Sequence, residues 1–548
     1  MNTYLQIHPK DNVLVALQDL PAGRQIQFND QSIQLVKDIP AKHKFPVADL
    51  KAGDPIVMYG VLVGKAMSDI PKGGLISTGN TEHMADSFHE KDAAFNWVAP
   101  DVSKWKNATF MGYHRNDGQV GTRNYWLVIP MVFCETRNVN VIKTAFEKGL
   151  GFAPPEKYNE QVNDLVNLYK NGGLDAVKDY QAKESNATVK RNDIFPNIDG
   201  IKFLIHEGGC GGTRQDADTL CALLAGYIHH PNVAGATVLS LGCQHAQVSI
   251  MQTALKKLNP NFDKPLLVFE QQASGSEFNM LSTAIKETFI GMAEANKNAR
   301  KPAPINKIVI GLECGGSDGF SGISANPAVG HTSDLLVGLG GTTILSEFPE
   351  LCGVEQELIN RCVNDDISNK FITIMRAYEN QAESVGSGFY QNPSPGNIKD
   401  GLITDAIKSA GAAKKGGTSP VTDVLDYTEY AVKPGLNLLC TPGNDVESTS
   451  AEVGSGATVV LFTTGLGTPT GNPIAPVVKL STNTRLAQRM PDIIDVNTGT
   501  IISGETSIEQ MGEDILDFVV KVASGEVLTK AEILNQDDFI PWKRGVSL

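Results

Sequence analysis

At 548 residues, 41% of them hydrophobic and 20% charged, the chain exceeds what one hydrophobic core holds and reads as a globular protein of several domains. Its formal charge of -14 and the lack of any dense lysine or arginine run exclude a phosphate-tracking surface, so a small molecule and no nucleic acid is the expected partner. Eight cysteines without a close framework, no signal-peptide pattern at the start and no apolar run near the roughly 18 residues of a membrane span give a cytoplasmic protein with no membrane partner as the expectation.

Residues 1–90 hold short alternating segments such as NVLVALQDL, QIQFND and DPIVMYGVLVGKAM, separated by the turn signals PAG, KAGD and PKGG. That spacing predicts a small β module. Residues 91–107 follow neither a helical nor a strand period and read as a linker. Beyond them, apolar runs that end in glycine-rich loops alternate with helix-like stretches. The strand candidates are NYWLVIPMVFC, IKFLIHEGGC, GATVLSLGC and PLLVFE within 108–300, then KIVIGLEC, GTTILSEF, LNLLC and ATVVLFTTG within 301–548. The alternation predicts parallel α/β layers. Near the end, SIEQMGEDILDFVVKVASGE predicts a helix that stops at glycine.

Cys134, Cys210, Cys243, Cys314 and Cys440 each close an apolar strand candidate. Ligands of an open parallel sheet sit beyond the carboxyl ends of its strands, so several of these thiols are expected to face a cleft. The competing reading is cysteine as a small buried hydrophobe, which suits Cys221, Cys352 and Cys362, and no C-x-x-C spacing favours a thiolate site. The stretch GLECGGSDGFSGISANP at 311–327 lacks G-x-G-x-x-G, and no P-loop pattern occurs anywhere, so neither NAD nor ATP is expected. What remains there is a loop whose glycines let backbone N–H groups approach an anion, with Glu313, Cys314 and Asp318 placed to bind a cation or move a proton. Asp318 equally suits an Asx turn. His245, two residues past Cys243, suits a ligand or base on one reading and a helix cap on the other. Lys479 in VVKLSTN reads as a strand lysine facing the loop side or solvent, with a substrate hydroxyl contact as its functional alternative.

Longer stretches are similar to the altronate and galactarate dehydratases: HPKDNVLVALQDL at the start, DGQVGTRNYWLVIP at 117–130, GLECGGSDGFSGISANPAVG at 311–330, NPSPGN at 392–397 and PGLNLLCTPGND at 434–445. GATVVLFTTGLGTPTGNP and VKLSTN continue the resemblance, in order, along essentially the whole chain. It implies an N-terminal β-clip (SAF) domain over 1–90, a linker over 91–107, a middle α/β domain over 108–300 through which a homodimer forms, and a C-terminal Rossmann-like α/β domain over 301–548. It further implies that water is removed from an altronate-like sugar acid to give a 2-keto-3-deoxy acid, with a divalent metal, Fe²⁺ first and Mn²⁺ second. Such an elimination needs a cation to stabilise the developing enediolate and a base at the carbon next to the carboxylate.

Carried onto this chain, the resemblance implies Cys134, Cys210, Cys243 and Cys314 as ligands of iron or of an iron–sulfur centre, with Glu313, Asp318 and Asp445 as the set for a harder ion. Glu313, Asp318, His245 and Lys408 are the candidates for proton transfer. Gly315, Gly316, Ser317, Asn326, Asn397, Thr464 and Lys479 are the candidates for contacting substrate. The chain departs from the family at polar positions. Ser77, Thr78 and Gly79 stand in place of β-clip histidines, AIKSAGA keeps Lys408 and Ser409 without the acids and cysteine, and Leu466 replaces an arginine. Leucine cannot grip a carboxylate as arginine does. The alternatives to a dehydratase are therefore a related lyase with another leaving group or sugar acid, and a non-catalytic paralogue that binds a sugar acid or a partner.

Overall fold

The computed structural model describes residues 3–152, 157–182 and 194–547. The N-terminal part is all β. Strand Val13–Ala16 pairs antiparallel with Tyr4–Leu5 and Lys44–Pro46, and Pro55–Met58, Val61–Ala66 and Thr81–Glu82 form a second antiparallel sheet. Period-two alternation drives this folding: in the hairpin of Gln25–Phe28 and Gln31–Gln34, Ile26 and Ile33 face one another in the core while most of their neighbours are exposed. Leu14, Leu20, Ile26, Ile33 and Phe45 form a core of the module's own. Val13, Val15, Ile56, Met58 and Val63 belong instead to the large core of the C-terminal part, so the module is fused to the rest through its own apolar face.

The middle part is a four-stranded parallel sheet in the order Gly200–Phe203, Tyr125–Pro130, Val233–Ser240, Leu266–Glu270. Helices Thr136–Leu150, Arg214–His229, Val248–Leu258 and Glu277–Ala295 pack around it. Trp126 fills the space above Gly235 and Gly291, where an added Cβ would lie 2.6 and 2.1 Å from the indole. The strands leading into and out of this part, Thr109–His114 and Lys301–Pro304, pair antiparallel with Thr109 opposite Pro304, and Val120–Gly121 on the other edge of Thr109–His114 completes a three-stranded neck.

The C-terminal part is a seven-stranded, all-parallel sheet in the order Val421–Leu425, Gly435–Leu439, Thr342–Leu345, Val309–Cys314, Val459–Thr464, Val477–Ser481, Val496–Asn497. Thr342–Leu345 follows Val309–Cys314 on one side, and the chain later returns to lay Val459–Thr464 on the other. The carboxyl end of Val309–Cys314 is therefore a topological switch point, where loops diverge and leave a crevice. Helices Ala325–Gly338 and Ile508–Ala523 pack together on one face, and Asp445–Gly454 lies on the other against Arg214–His229 of the middle part.

The β module covers the crevice edge. Lys44 Nζ donates to the Gly401 carbonyl at 2.6 Å, and the Thr404 hydroxyl donates to the Val63 carbonyl at 2.8 Å. The stretch after it runs along the C-terminal part, with the Trp97 indole N–H on Thr418 at 3.2 Å and that of Trp105 on Asp517 at 2.7 Å. The expected class, a small β module followed by parallel α/β sheets, is the class observed.

Candidate active site

At the switch point the central strand Val309–Cys314 ends in Glu313 and Cys314, and the turn after Thr342–Leu345 brings up Ser346, Glu347 and Glu350. Helix Asp445–Gly454 starts with Asp445, its first N–H groups capped by the Asn444 side chain. Helix Asp405–Ala412 and the turn behind it supply Lys408 and Lys415, and strand Val477–Ser481 supplies Lys479. Glu347 has a φ of 66°, which a non-glycine residue adopts only under constraint, and its N–H is held by the Thr441 hydroxyl at 2.8 Å.

These side chains form a buried charge cluster. Lys415 Nζ lies 2.6 Å from Glu347 Oε2 and 2.9 Å from Cys314 Sγ. Lys408 Nζ lies 2.6 Å from Glu350 Oε1 and 2.5 Å from Asn392 Oδ1. Cys314 Sγ also meets Glu350 Oε2 at 3.2 Å. Glu313 Oε2 accepts from the hydroxyls of Ser448 at 2.7 Å and Ser346 at 3.1 Å. Glu313 Oε1 and Glu347 Oε1 are buried with no hydrogen-bond partner among the described residues.

The electrostatics follow from too many acids in too little water. Burial, then Glu347 and Glu452, holds the Glu313 carboxyl well above the usual range. Burial, then Glu347 and Glu350, raises the Cys314 thiol and pushes Asp445 up to about 7. Burial opposes the charges on Lys408 and Lys415, but their acidic neighbours outweigh it and both remain ammonium groups. Lys479 goes the other way: burial lowers its amine to about 7 against the pull of Asp445 and Asp495. Its Nζ donates to the Thr470 carbonyl and sits 3.5 Å from the centre of the Phe462 ring. The reading of Lys479 as a lysine facing the loop side or solvent is corrected here. Its strand is buried on both faces, so alternation along it leads from one interior to another.

A cation fits this cluster. Oxygens of Glu313, Glu347 and Asp445 lie within 4.8 Å of one another, as do ligand atoms of Cys314, Glu347 and Glu350. Lys415 already sits against the Cys314–Glu347 pair, whereas the all-oxygen trio carries both unpartnered atoms. Three carboxylate donors suit a hard or borderline divalent ion. Gly315 makes the room, since a Cβ there would lie 2.0 Å from Asp445 Oδ2.

The other predicted residues have different partners. Asp318 Oδ1 accepts from the Phe320 N–H at 3.1 Å and the Ser321 hydroxyl at 3.2 Å, the Asx-type turn, while its Oδ2 lies 3.0 Å from Lys42 Nζ of the β module. Gly316, at φ 60°, turns the chain beneath Thr468. The Ser317 carbonyl accepts from Asn397 Nδ2 at 2.7 Å, and Asn397 also closes a capping box with Ser394. Asn326 accepts from the Thr463 hydroxyl and donates to the Gly411 carbonyl; Thr464 Oγ1 accepts from the N–H groups of Gly467 and Thr468. Asn326, Asn397 and Thr464 thus hold the loops of the crevice in place.

The cysteines divide between two sheets. Cys314 is buried in the cluster, whereas Cys134, Cys210 and Cys243 are exposed on loops of the four-stranded sheet and belong to neither converging trio. A single centre made from all four does not match this arrangement. His245 stays with the three, its Nδ1 3.3 Å from the Gly212 carbonyl, beside a cavity of about 850 Å³. Sequence reasoning missed Glu347, Glu350, Lys415 and Lys42. The two glutamates carry a usable signal, since they follow the strand in GTTILSEFPE as Glu313 ends KIVIGLEC; Lys42 carries none, because its partner lies in another part of the fold.

Three family profiles match the chain in order: the altronate/galactarate dehydratase SAF domain over residues 2–84, the second domain of D-galactarate dehydratase/altronate hydrolase over 112–296, and the C-terminal domain of D-galactarate/altronate dehydratase over 305–547. The altronate dehydratase of Bacillus subtilis (strain 168) is 33% identical over the whole of both chains. That of Escherichia coli (strain K12) is 32% identical over 95% of each chain. The galactarate dehydratase (L-threo-forming) of Escherichia coli (strain K12) is 30% identical over 96% of this chain and 94% of its own.

Proposed function

We infer that this chain, which belongs to the D-galactarate/altronate dehydratase family, is a sugar-acid hydro-lyase of the altronate dehydratase kind. The observation that carries the chemistry is the buried meeting of Glu313, Glu347 and Asp445, with two unpartnered oxygens, beside the ammonium groups of Lys408 and Lys415.

The reaction removes a proton from the carbon next to a carboxylate and expels the hydroxyl of the following carbon. Glu313, Glu347 and Asp445 would hold a divalent ion, Fe²⁺ before Mn²⁺, which would supply the positive charge that stabilises the developing enediolate. The raised carboxyl pKa values accord with such a site, because an ion held there would replace the protons that burial, and then the neighbouring acids, keep on these groups. Lys415 offsets the negative charge that develops on the enediolate. Lys479, its amine lowered to about 7, is the group that takes the proton, and the Lys408 ammonium is the group that protonates the departing hydroxyl. Leu466 cannot bind a carboxylate, but Arg489 Nη2 lies 3.3 Å from the Leu466 carbonyl on an exposed side chain, which supports a second route to the same grip.

We assign residues 1–90 to the SAF domain, 91–107 to the linker, 108–300 to a middle domain that pairs two chains, and 301–548 to the catalytic Rossmann-like domain, with the enzyme working in the cytoplasm. No helix among the described residues is long and apolar enough to cross a membrane.

The test is a panel of aldonates and aldarates incubated with Fe²⁺ and reductant and scored for 2-keto-3-deoxy acids. Turnover of altronate is expected, with loss on chelation and in Glu347→Gln. Absence of such a product from every sugar acid under these conditions overturns the reading.

A further inference from the structure

The loop between helix Asp365–Ser384 and the short helix Pro395–Lys399 sends the Asn392 side chain to the acid cluster, where its Oδ1 lies 2.5 Å from Lys408 Nζ. An ammonium group only donates hydrogen bonds, so the oxygen of this amide is the atom that faces Lys408 and the NH₂ is turned away from it. That NH₂ lies over Gly443. A Cβ added to Gly443 would stand 2.7 Å from Asn392 Nδ2 and 3.4 Å from Glu350 Oε1. Among the described residues no acceptor takes the Nδ2 hydrogens.

The backbone holds this amide in place. The Asn392 N–H donates to the Phe389 carbonyl at 2.9 Å, and Phe389 is buried with its ring 5.5 Å from that of Tyr378. Pro393 follows, and the capping box of Ser394 and Asn397 fixes the next turn. A side chain fixed beforehand loses little freedom when a ligand arrives. Depth orders the groups: Glu313 and Glu347 have no exposure, Lys408 is 8% exposed, and Asn392 is half-buried at the mouth. Glu350 Oε1 and Asn392 Oδ1 engage two of the three Lys408 hydrogens, which leaves one. That hydrogen and the Asn392 NH₂ are neighbouring donors, one inner and one outer.

We propose that Asn392 contacts the substrate, its NH₂ donating to the hydroxyl on the carbon beyond the one that loses water. The assignment rests on the hydro-lyase reading, in which Lys408 meets the departing hydroxyl. In a sugar acid the carboxylate is the first carbon, the proton leaves the second and the hydroxyl leaves the third. With the acid end toward Glu313, Glu347 and Asp445 and the third-carbon hydroxyl on Lys408, the fourth carbon is the next one toward solvent, where Asn392 stands. Two donors held at a fixed separation suit two adjacent hydroxyls. Asn392 thereby selects acids that carry a fourth-carbon hydroxyl over shorter or deoxygenated hydroxy acids.

The experiment compares altronate with 4-deoxyaltronate on the full-length enzyme with Fe²⁺ and reductant. The wild type is expected to favour altronate about tenfold in kcat/KM, the contribution of one neutral hydrogen bond. Asn392→Ala should slow both substrates, because Lys408 loses a partner, and should bring their ratio near one. Asn392→Leu, which keeps the side-chain volume, should do the same, whereas Gln391→Ala on the same loop should keep the wild-type ratio. A defect in folding or in Lys408 slows both substrates alike and cancels from the ratio, so a merely structural role would not move it. A wild-type ratio near one, or a ratio that survives in both Asn392 variants, overturns the contact and leaves the hydro-lyase standing. If neither acid is dehydrated, dissociation constants from titration calorimetry give the same ratio. Its collapse in the Asn392 variants then keeps the contact and sinks the hydro-lyase, and protein that binds neither acid overturns both.

Discussion

Lys415 stands between a thiol and a carboxylate with almost no solvent, so its removal has two separable effects. Lys415→Met is expected to lower turnover about 10² to 10³-fold, the usual cost of losing one preorganised charge donor. It is also expected to destabilise the fold on the order of 3–5 kcal/mol, because Glu347 is left buried without its cation; urea unfolding reads the second effect independently of the first. A different residue-scale argument concerns pH. His206 accepts the Gly208 N–H at Nδ1 and donates from Nε2 to the Pro130 carbonyl; His230 does the same with Asn232 and Ala457. Both rings are thereby fixed neutral, and burial lowers them to about 4 and about 3. Between these values and the ordinary 6.5 the unfolded chain binds protons that the folded chain refuses, so stability falls as pH drops through that window, by on the order of 2 kcal/mol each at pH 5. Unfolding midpoints at pH 7 and pH 5 measure this, and a His206→Gln/His230→Gln double variant should show a flatter slope. Glu313 and Cys314 were legible in the sequence because a strand end marks them. Lys415 was not, since nothing in AAKKGG distinguishes a lysine that points into a charge cluster from one in water.

At the scale of elements, each apolar run taken as a strand is a strand, since most of these runs are buried on both faces and such burial leaves its record in composition. The pairing of Thr109–His114 with Lys301–Pro304 was not legible, because two short segments so far apart carry no shared local signal. The glycine loop after Val309–Cys314 reads in the sequence as backbone open to a ligand, and its geometry sharpens this to a single position. Gly315→Ala would drive a Cβ into Asp445, so the variant is expected to lose Fe²⁺ affinity and turnover together; isothermal titration with Fe²⁺ under reductant is the check. The contact of Lys42 with Asp318 and Asp400 ties the β module to the same loop. Lys42→Met should lower both the thermal midpoint and turnover. Lys51→Met, which breaks only an exposed pair with Asp69, should change neither.

For the whole molecule, the β module was legible as a unit but its attachment was not, because the sequence does not say which of its apolar faces is shared. Val13, Ile56 and Val63 pack into the C-terminal core, and Lys44 and Thr404 add hydrogen bonds across the join. Protease cleavage near Val98, which is 83% exposed, is therefore expected to give a nicked chain whose two pieces co-elute in native gel filtration and part only in denaturant. The neck has a consequence of another kind, in the order of synthesis. Thr109–His114 leaves the ribosome long before Lys301–Pro304, and at about 5–20 residues per second it waits on the order of ten seconds or more for the strand that covers it. During that interval Phe110 and Tyr113, buried in the finished protein, hang from an unpaired edge. The nascent chain thus carries this open edge for as long as its middle part is being made, and Phe110 waits longer still, for the C-terminal core that buries it.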